Sequence, residues 1–305
     1  MSLLRGSTVT YTRFDLQDEP HWGRLDEAVK FRAFEPLGGP EDEVTERMGT
    51  CGWRNLLDGP IDHGWLPSQR AWIMGLRRDV KKAPAALLQA ELARAFSDAA
   101  QAHGGGLGKE AKKNITATTK ARLDRAANPK PKHALMAFLA SPAIVLWDGP
   151  SAGADWVSEI LQPLEPFYRG ENYDKFLAWL VDHADDDSVT YALSGDATLR
   201  DAEGHGADLV GVTDFLAKYL ELAHAGYTPR KLGLVLALGN ENADLTLSST
   251  GLKVQGLKFP EKNAVPNTPD EILEARIAWV AQVETELAAL VTSWLKEQEP
   301  EGGEG

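Results

Sequence analysis

The stretch from Lys231 to Phe259, "KLGLVLALGNENADLTLSSTGLKVQGLKF", constrains the fold more than any other part of the chain. Leu232, Leu234, Leu236 and Leu238 recur at every second position, which puts them on one face of a strand. "GNEN" turns the chain, and in "ADLTLSS" Leu245 and Leu247 lie opposite Asp244, Thr246 and Ser248. Thr250-Gly251 turns it again. In "LKVQGLKF" the apolar parity begins even, at Leu252 and Val254, and becomes odd, at Leu257 and Phe259. One inserted residue lets a strand change parity and keep its buried face, so a β-bulge is predicted at Gly256. The result is a three-strand meander. Thr268-Pro269-Asp270-Glu271 then forms a capping box with proline at the first helical position. It opens a long helix with Leu273, Ile277, Val280, Leu287, Val291 and Trp294 on one stripe.

The remainder mixes strands and helices without regular βαβ alternation, which predicts an α+β class. "TVTYTRFDL" (8–16) reads as a strand, and 24–37 as a helix through Leu25, Val29 and Phe34. The segment 69–82 reads as a strand that becomes basic. Pro84 suits the first turn of a helix with Leu88, Leu92 and Phe96 on one stripe, ending at Gly104–Gly106. The segments 134–140 and 143–147, separated by Ser141-Pro142, read as a hairpin. Helices are expected over 154–164 and 171–184, and from a Thr213 cap to Ala225. Between them, 185–211 is polar and turn-rich with short strand candidates. Five segments follow: 1–83, a helical arm at 84–133, 134–211, 212–297, and a disordered tail at 298–305.

The chain of 305 residues carries a formal net charge of −13, yet one stretch runs against it. From Lys109 to Lys132 there are eight basic residues, Lys109, Lys112, Lys113, Lys120, Arg122, Arg125, Lys130 and Lys132, against Glu110 and Asp124. That local +6 leaves −19 on the rest. The helix expected over 108–126 has only Ile115 and Leu123 as large apolar residues, so it cannot bury much. At about 100° per residue, Lys109, Lys112, Lys113 and Lys120 fall within an arc of roughly 100° and form one stripe. Arg122 and Arg125 point elsewhere, and "NPKPKH" (128–133) must be extended because each proline keeps its predecessor out of the helical region. Arg77, Arg78, Lys81 and Lys82 form a second basic cluster, expected at the start of the preceding helical segment. Lysine and arginine on rigid backbone hold phosphates without reading sequence. No helix-turn-helix, zinc finger or RNA-binding aromatic motif is present, so any nucleic-acid binding is expected to be sequence-independent.

Other chemistries find less support. "HGGGLGKE" resembles a phosphate loop, but His103 stands where the first glycine is needed and Glu110 where serine or threonine must hold magnesium. Asp196, Asp201, Glu203, His205 and Asp208 are acidic and imidazole groups on a Gly-rich loop without a known ligand spacing, and read as a solvated loop. The single cysteine, Cys51, has no second cysteine for a zinc site or a disulfide. No nucleophile elbow or Ser/His/Asp spacing is found. No catalytic residue, metal or cofactor is therefore expected. The absence of a signal segment and of a disulfide framework points to the cytoplasm.

The order of features resembles the recombination-associated RdgC family of bacterial DNA-binding proteins. The likeness rests on "AFEPLGG", "CGW", "WIMGLRRDVKKAPAALLQAEL", "ALMAFLASPAIVLWDGPSAGADWVSEILQPL" and, most strongly, residues 199–260, followed by the long helix. The resemblance implies a horseshoe-shaped α+β subunit. Two subunits would close into a ring around double-stranded DNA as a homodimer, nucleoid-associated and acting on recombinase filaments. It also places the basic helix and the Arg77–Lys82 segment near the hole. The family carries an exonuclease label, which makes a metal-dependent nuclease the rival reading, and a protein-interaction scaffold is a third. Two departures bear on ring closure: Ala126 and Ala127 stand where the family tends to have a bulky aromatic, and Gly104–Gly106 interrupts a region that is commonly more continuous.

Overall fold

The alternating apolar pattern is realised as a single antiparallel sheet. The computed structural model describes residues 7–16, 34–38, 43–51, 64–66, 71–149, 167–168, 173–186, 189–260 and 269–298. Among them run twelve strands: β1 (Thr8–Leu16), β2 (Glu46–Cys51), β3 (Gly64–Leu66), β4 (Ala71–Lys81), β5 (Pro129–Leu139), β6 (Ile144–Asp148), β7 (Phe167–Tyr168), β8 (Tyr191–Arg200), β9 (Gly206–Leu209), β10 (Thr228–Leu238), β11 (Glu241–Ser248) and β12 (Lys253–Lys258). Five helices accompany them: α1 (Ala85–Ala102), α2 (Lys109–Ala126), α3 (Asp174–Asp182), α4 (Phe215–His224) and α5 (Pro269–Gln298). The strand order is β2-β4-β5-β6-β1-β12-β11-β10-β8-β9, with β3 also on β4 and β7 also on β1. The first strand is thus central, joining β2, β4, β5 and β6 to the C-terminal meander. The class is α+β.

The meander forms as its pattern requires. Leu232, Leu247 and Val254 pair in register, and the row continues to Tyr11 on one side and to Ala197 and Leu209 on the other. All six side chains are buried. The predicted bulge is present: Tyr11 pairs with Val254 but Val9 pairs with Leu257, so one extra residue of β12 is inserted there. Gly256 takes φ +66 at that point. The left-handed backbone explains why glycine occupies it.

This core face is covered by the helices. Leu273, Ile277, Val280, Val283 and Leu287 of α5 are fully buried, as are Phe176, Leu177 and Leu180 of α3. Phe215 and Tyr219 supply the buried side of α4. Around β4, β5, β6 and β1 the opposite face is buried too, through Trp72, Met74, Phe138, Val145, Trp147 and Phe14. That two-sided burial explains the continuous apolar runs "AWIMGL" and "ALMAFLA".

Several expectations change. The polar segment 185–211 yields the ten-residue strand β8, because Tyr191, Ala197 and Leu199 still face inward. Its pairing with β10 shifts between Leu232 and Leu234, and Gly195 there takes φ +86, so the polar residues are absorbed in an irregularity. The α4 cap is Asp214, without a side-chain cap bond, because its carbonyl accepts the Lys218 N–H that opens the helix. Phe34–Leu37, expected at the end of a helix, is irregular, whereas 24–33 lies outside the described residues. So do the expected helix at 154–164, the Thr268 cap and residues 299–305. Pro129–His133 is extended, as its prolines require, but it belongs to β5 and not to the helical arm, because Lys130 and Lys132 pair with Val80 and Arg78.

Candidate nucleic-acid interface

Lys81 pairs with Pro129 at the end of the β4–β5 ladder, so residues 82–128 must leave the sheet there and return to the same place. They do so as an antiparallel hairpin of α1 and α2. Ala83 donates its N–H to Asp124 Oδ1 at 2.8 Å, which ties the start of the arm to its end. Along the hairpin, Arg122 donates to Glu91 Oε2 at 2.7 Å. The glycine run His103–Gly108 forms the tip, as the stop signal predicts.

The arm has almost no core. None of the described residues of α1 is buried; Leu88, Leu92 and Phe96 are partly covered, and Leu87 remains 47% exposed. In α2 only Thr119 and Leu123 are buried. Lys109, Lys113 and Lys120 share a line on the helix, beside the seam that contains those two residues. They span about 16 Å at about 1.5 Å per residue. Lys112 lies on the seam side but nearer the tip, where it stays exposed. Among the described residues none of these four lysines makes an ion pair, and the same holds for Lys82, Arg125, Lys130 and Lys132.

The segment 69–82 forms a strand that becomes basic, as its sequence predicts, and this moves the second cluster off the helix start: Arg77, Arg78 and Lys81 lie on β4, because "AWIMGLRRDVK" keeps pairing with β5 to its last residue. Alternation sends Arg77 and Lys81 to one face and Arg78 to the other. Arg77 is held by Asp79 at 2.8 Å and stacks on the Phe34 ring at 4.7 Å. Arg78 pairs with Glu46. Lys81 is buried, and only Lys82 of the four is exposed. The register instead places Lys130 and Lys132 on the face of Arg78. His133, opposite Arg77, is held below its usual value by burial and by that guanidinium.

The sites set aside on sequence can also be placed. Asp201, Glu203 and His205 bring their ligand atoms within 4.8 Å of one another at the β8–β9 turn. Asp201 there accepts the His205 backbone N–H at 2.7 Å and bonds its Nδ1 at 2.8 Å, closing the turn. Asp196 does not join them; it accepts the Gly211 N–H at 2.8 Å. The Cys51 side chain lies outside the described residues. Among the described residues no helix is long and apolar enough to cross a membrane. Compared with known families and curated proteins, the chain matches no family model and no curated protein.

Proposed function

We propose that this chain binds double-stranded DNA without sequence preference, holding phosphates along α2. The observation that carries the reading is that Lys109, Lys112, Lys113 and Lys120 are all exposed, and without an ion pair among the described residues, on a helix that buries only two residues. Such a helix contributes little to the core, and its charge is available to a polyanion. Phosphate contacts fix position and supply affinity without reading bases. Lys130 and Lys132 continue the basic surface at the arm's root, and Lys82 and Arg125 add to it. Arg122 is committed to Glu91, and Arg77 and Arg78 to Asp79 and Glu46, so they contribute less directly.

In this reading the protein resembles the RdgC family in acting as a non-enzymatic homodimer that encloses DNA and restrains recombinase filaments. The half-covered stripe of Leu88, Leu92 and Phe96 suits contact between two arms. Ala126 and Ala127 make that closure weaker than a bulky aromatic would. The test is the triple change Lys112→Glu, Lys113→Glu and Lys120→Glu, assayed by fluorescence anisotropy on a labelled duplex. Duplex binding is expected to disappear while the melting temperature stays close to that of the parent. A triple variant that binds like the parent removes α2 from the interface.

A further inference from the structure

The buried face of α5 contains one group that an apolar stripe does not predict. Glu284 lies between Val280 and Leu287 and is fully buried, as is Tyr11 beneath it. The Tyr11 hydroxyl donates to Glu284 Oε1 at 2.6 Å. Arg13, two residues along β1 on the same face, brings Nη1 to 3.6 Å from Glu284 Oε2, beyond a good hydrogen bond. Its Nε donates to Asp15 Oδ1 at 3.0 Å, and Asp15 Oδ2 accepts from the Tyr173 hydroxyl at 3.1 Å. Neither Arg13 Nη1 nor Glu284 Oε2 has a hydrogen-bond partner among the described residues, although both are sealed from solvent.

A buried ion pair offsets its desolvation only when geometry is good and the remaining lone pairs and protons are hydrogen-bonded. This one is incomplete on both sides. Burial therefore pushes the Glu284 carboxyl above its usual range, and the Arg13 charge and the Tyr11 hydrogen bond offset only part of that. Burial and the neighbouring Glu284 raise the Tyr11 hydroxyl as well. Among the described residues, the charged and titratable groups facing Glu284 are Tyr11, Arg13 and Asp15 of β1; Tyr173, at the start of α3, reaches it through Asp15.

We propose that this cluster is a proton-coupled joint: α5 seats most firmly on the central strand with Glu284 neutral, and losing that proton loosens the seat. A carboxyl raised on folding binds its proton more tightly in the native than in the unfolded chain. Its contribution is complete below the unfolded value and is lost as pH rises through the folded one. The joint sits where β1 connects the two halves of the sheet, so what it loosens is the seat of the terminal helix on that junction.

Thermal melting of the full chain and of Glu284→Gln, from about pH 4.5 to about pH 8, tests this. The melting temperature of the variant relative to the parent is expected to rise with pH. An offset that stays constant across the range overturns the proposal. Should the variant not fold, carbon-13 detection of the Glu284 carboxyl in the parent gives the same answer. A titration midpoint above that of an ordinary glutamate supports the joint, and one at or below it overturns it.

Discussion

Gly256 keeps the centre of the sheet in register. Val254 and Leu257 are both buried although three positions apart, and only the inserted residue between them makes that possible. A Cβ at Gly256 would meet nothing within 4 Å, so substitution tests backbone conformation alone. Gly256→Ala is expected to destabilise the chain by about 1–2 kcal/mol, the cost of a left-handed residue with a side chain. Chemical denaturation measures it, and an unchanged midpoint would mean that the bulge relaxes. This position was readable because a change of parity is a local signal. Glu284 was not. Its place on the helical stripe marks the position as buried, but its partner Tyr11 lies 273 positions away, so no local pattern shows what meets the carboxyl there.

The arm was legible as an element because its punctuation is local. Pro84, the glycine run and Asn128-Pro129 bracket two helices whose observed bounds follow those marks. Its root is less legible for the opposite reason. The strand over 69–82 is readable, but where it gives way to the helix, and which of Arg77, Arg78 and Lys81 share a face with β5, depends on β5 pairing with β4 along its whole length. Register, a non-local property, is what divides them between two faces and brings Lys130 and Lys132 beside Arg78. The same root makes the arm's attachment testable. Asp124→Ala leaves the N–H of buried Ala83 without its acceptor. A loss of about 1–3 kcal/mol is expected, with faster amide exchange in α1 and α2 than in β10 and β11. Equal acceleration in the meander would show that the arm is not held there independently.

For the whole molecule, the acidic total and the basic arm are compatible because charge is segregated. Residues 109–132 carry +6 while the rest carries −19, so a polyanion is attracted to one projection and repelled elsewhere. Contact restricted to phosphates predicts a steep and sequence-blind salt dependence. With four stripe lysines engaged, log K should fall against log salt with a slope of about −3.6 or steeper. That is about a hundredfold loss between about 50 and about 200 mM salt. The most direct test is therefore the affinity of the unaltered chain for two duplexes of unrelated sequence across that range. Equal affinities and the same steep slope are expected for both. No binding at the lowest salt, or an affinity that ignores salt or differs between the two sequences, would contradict it.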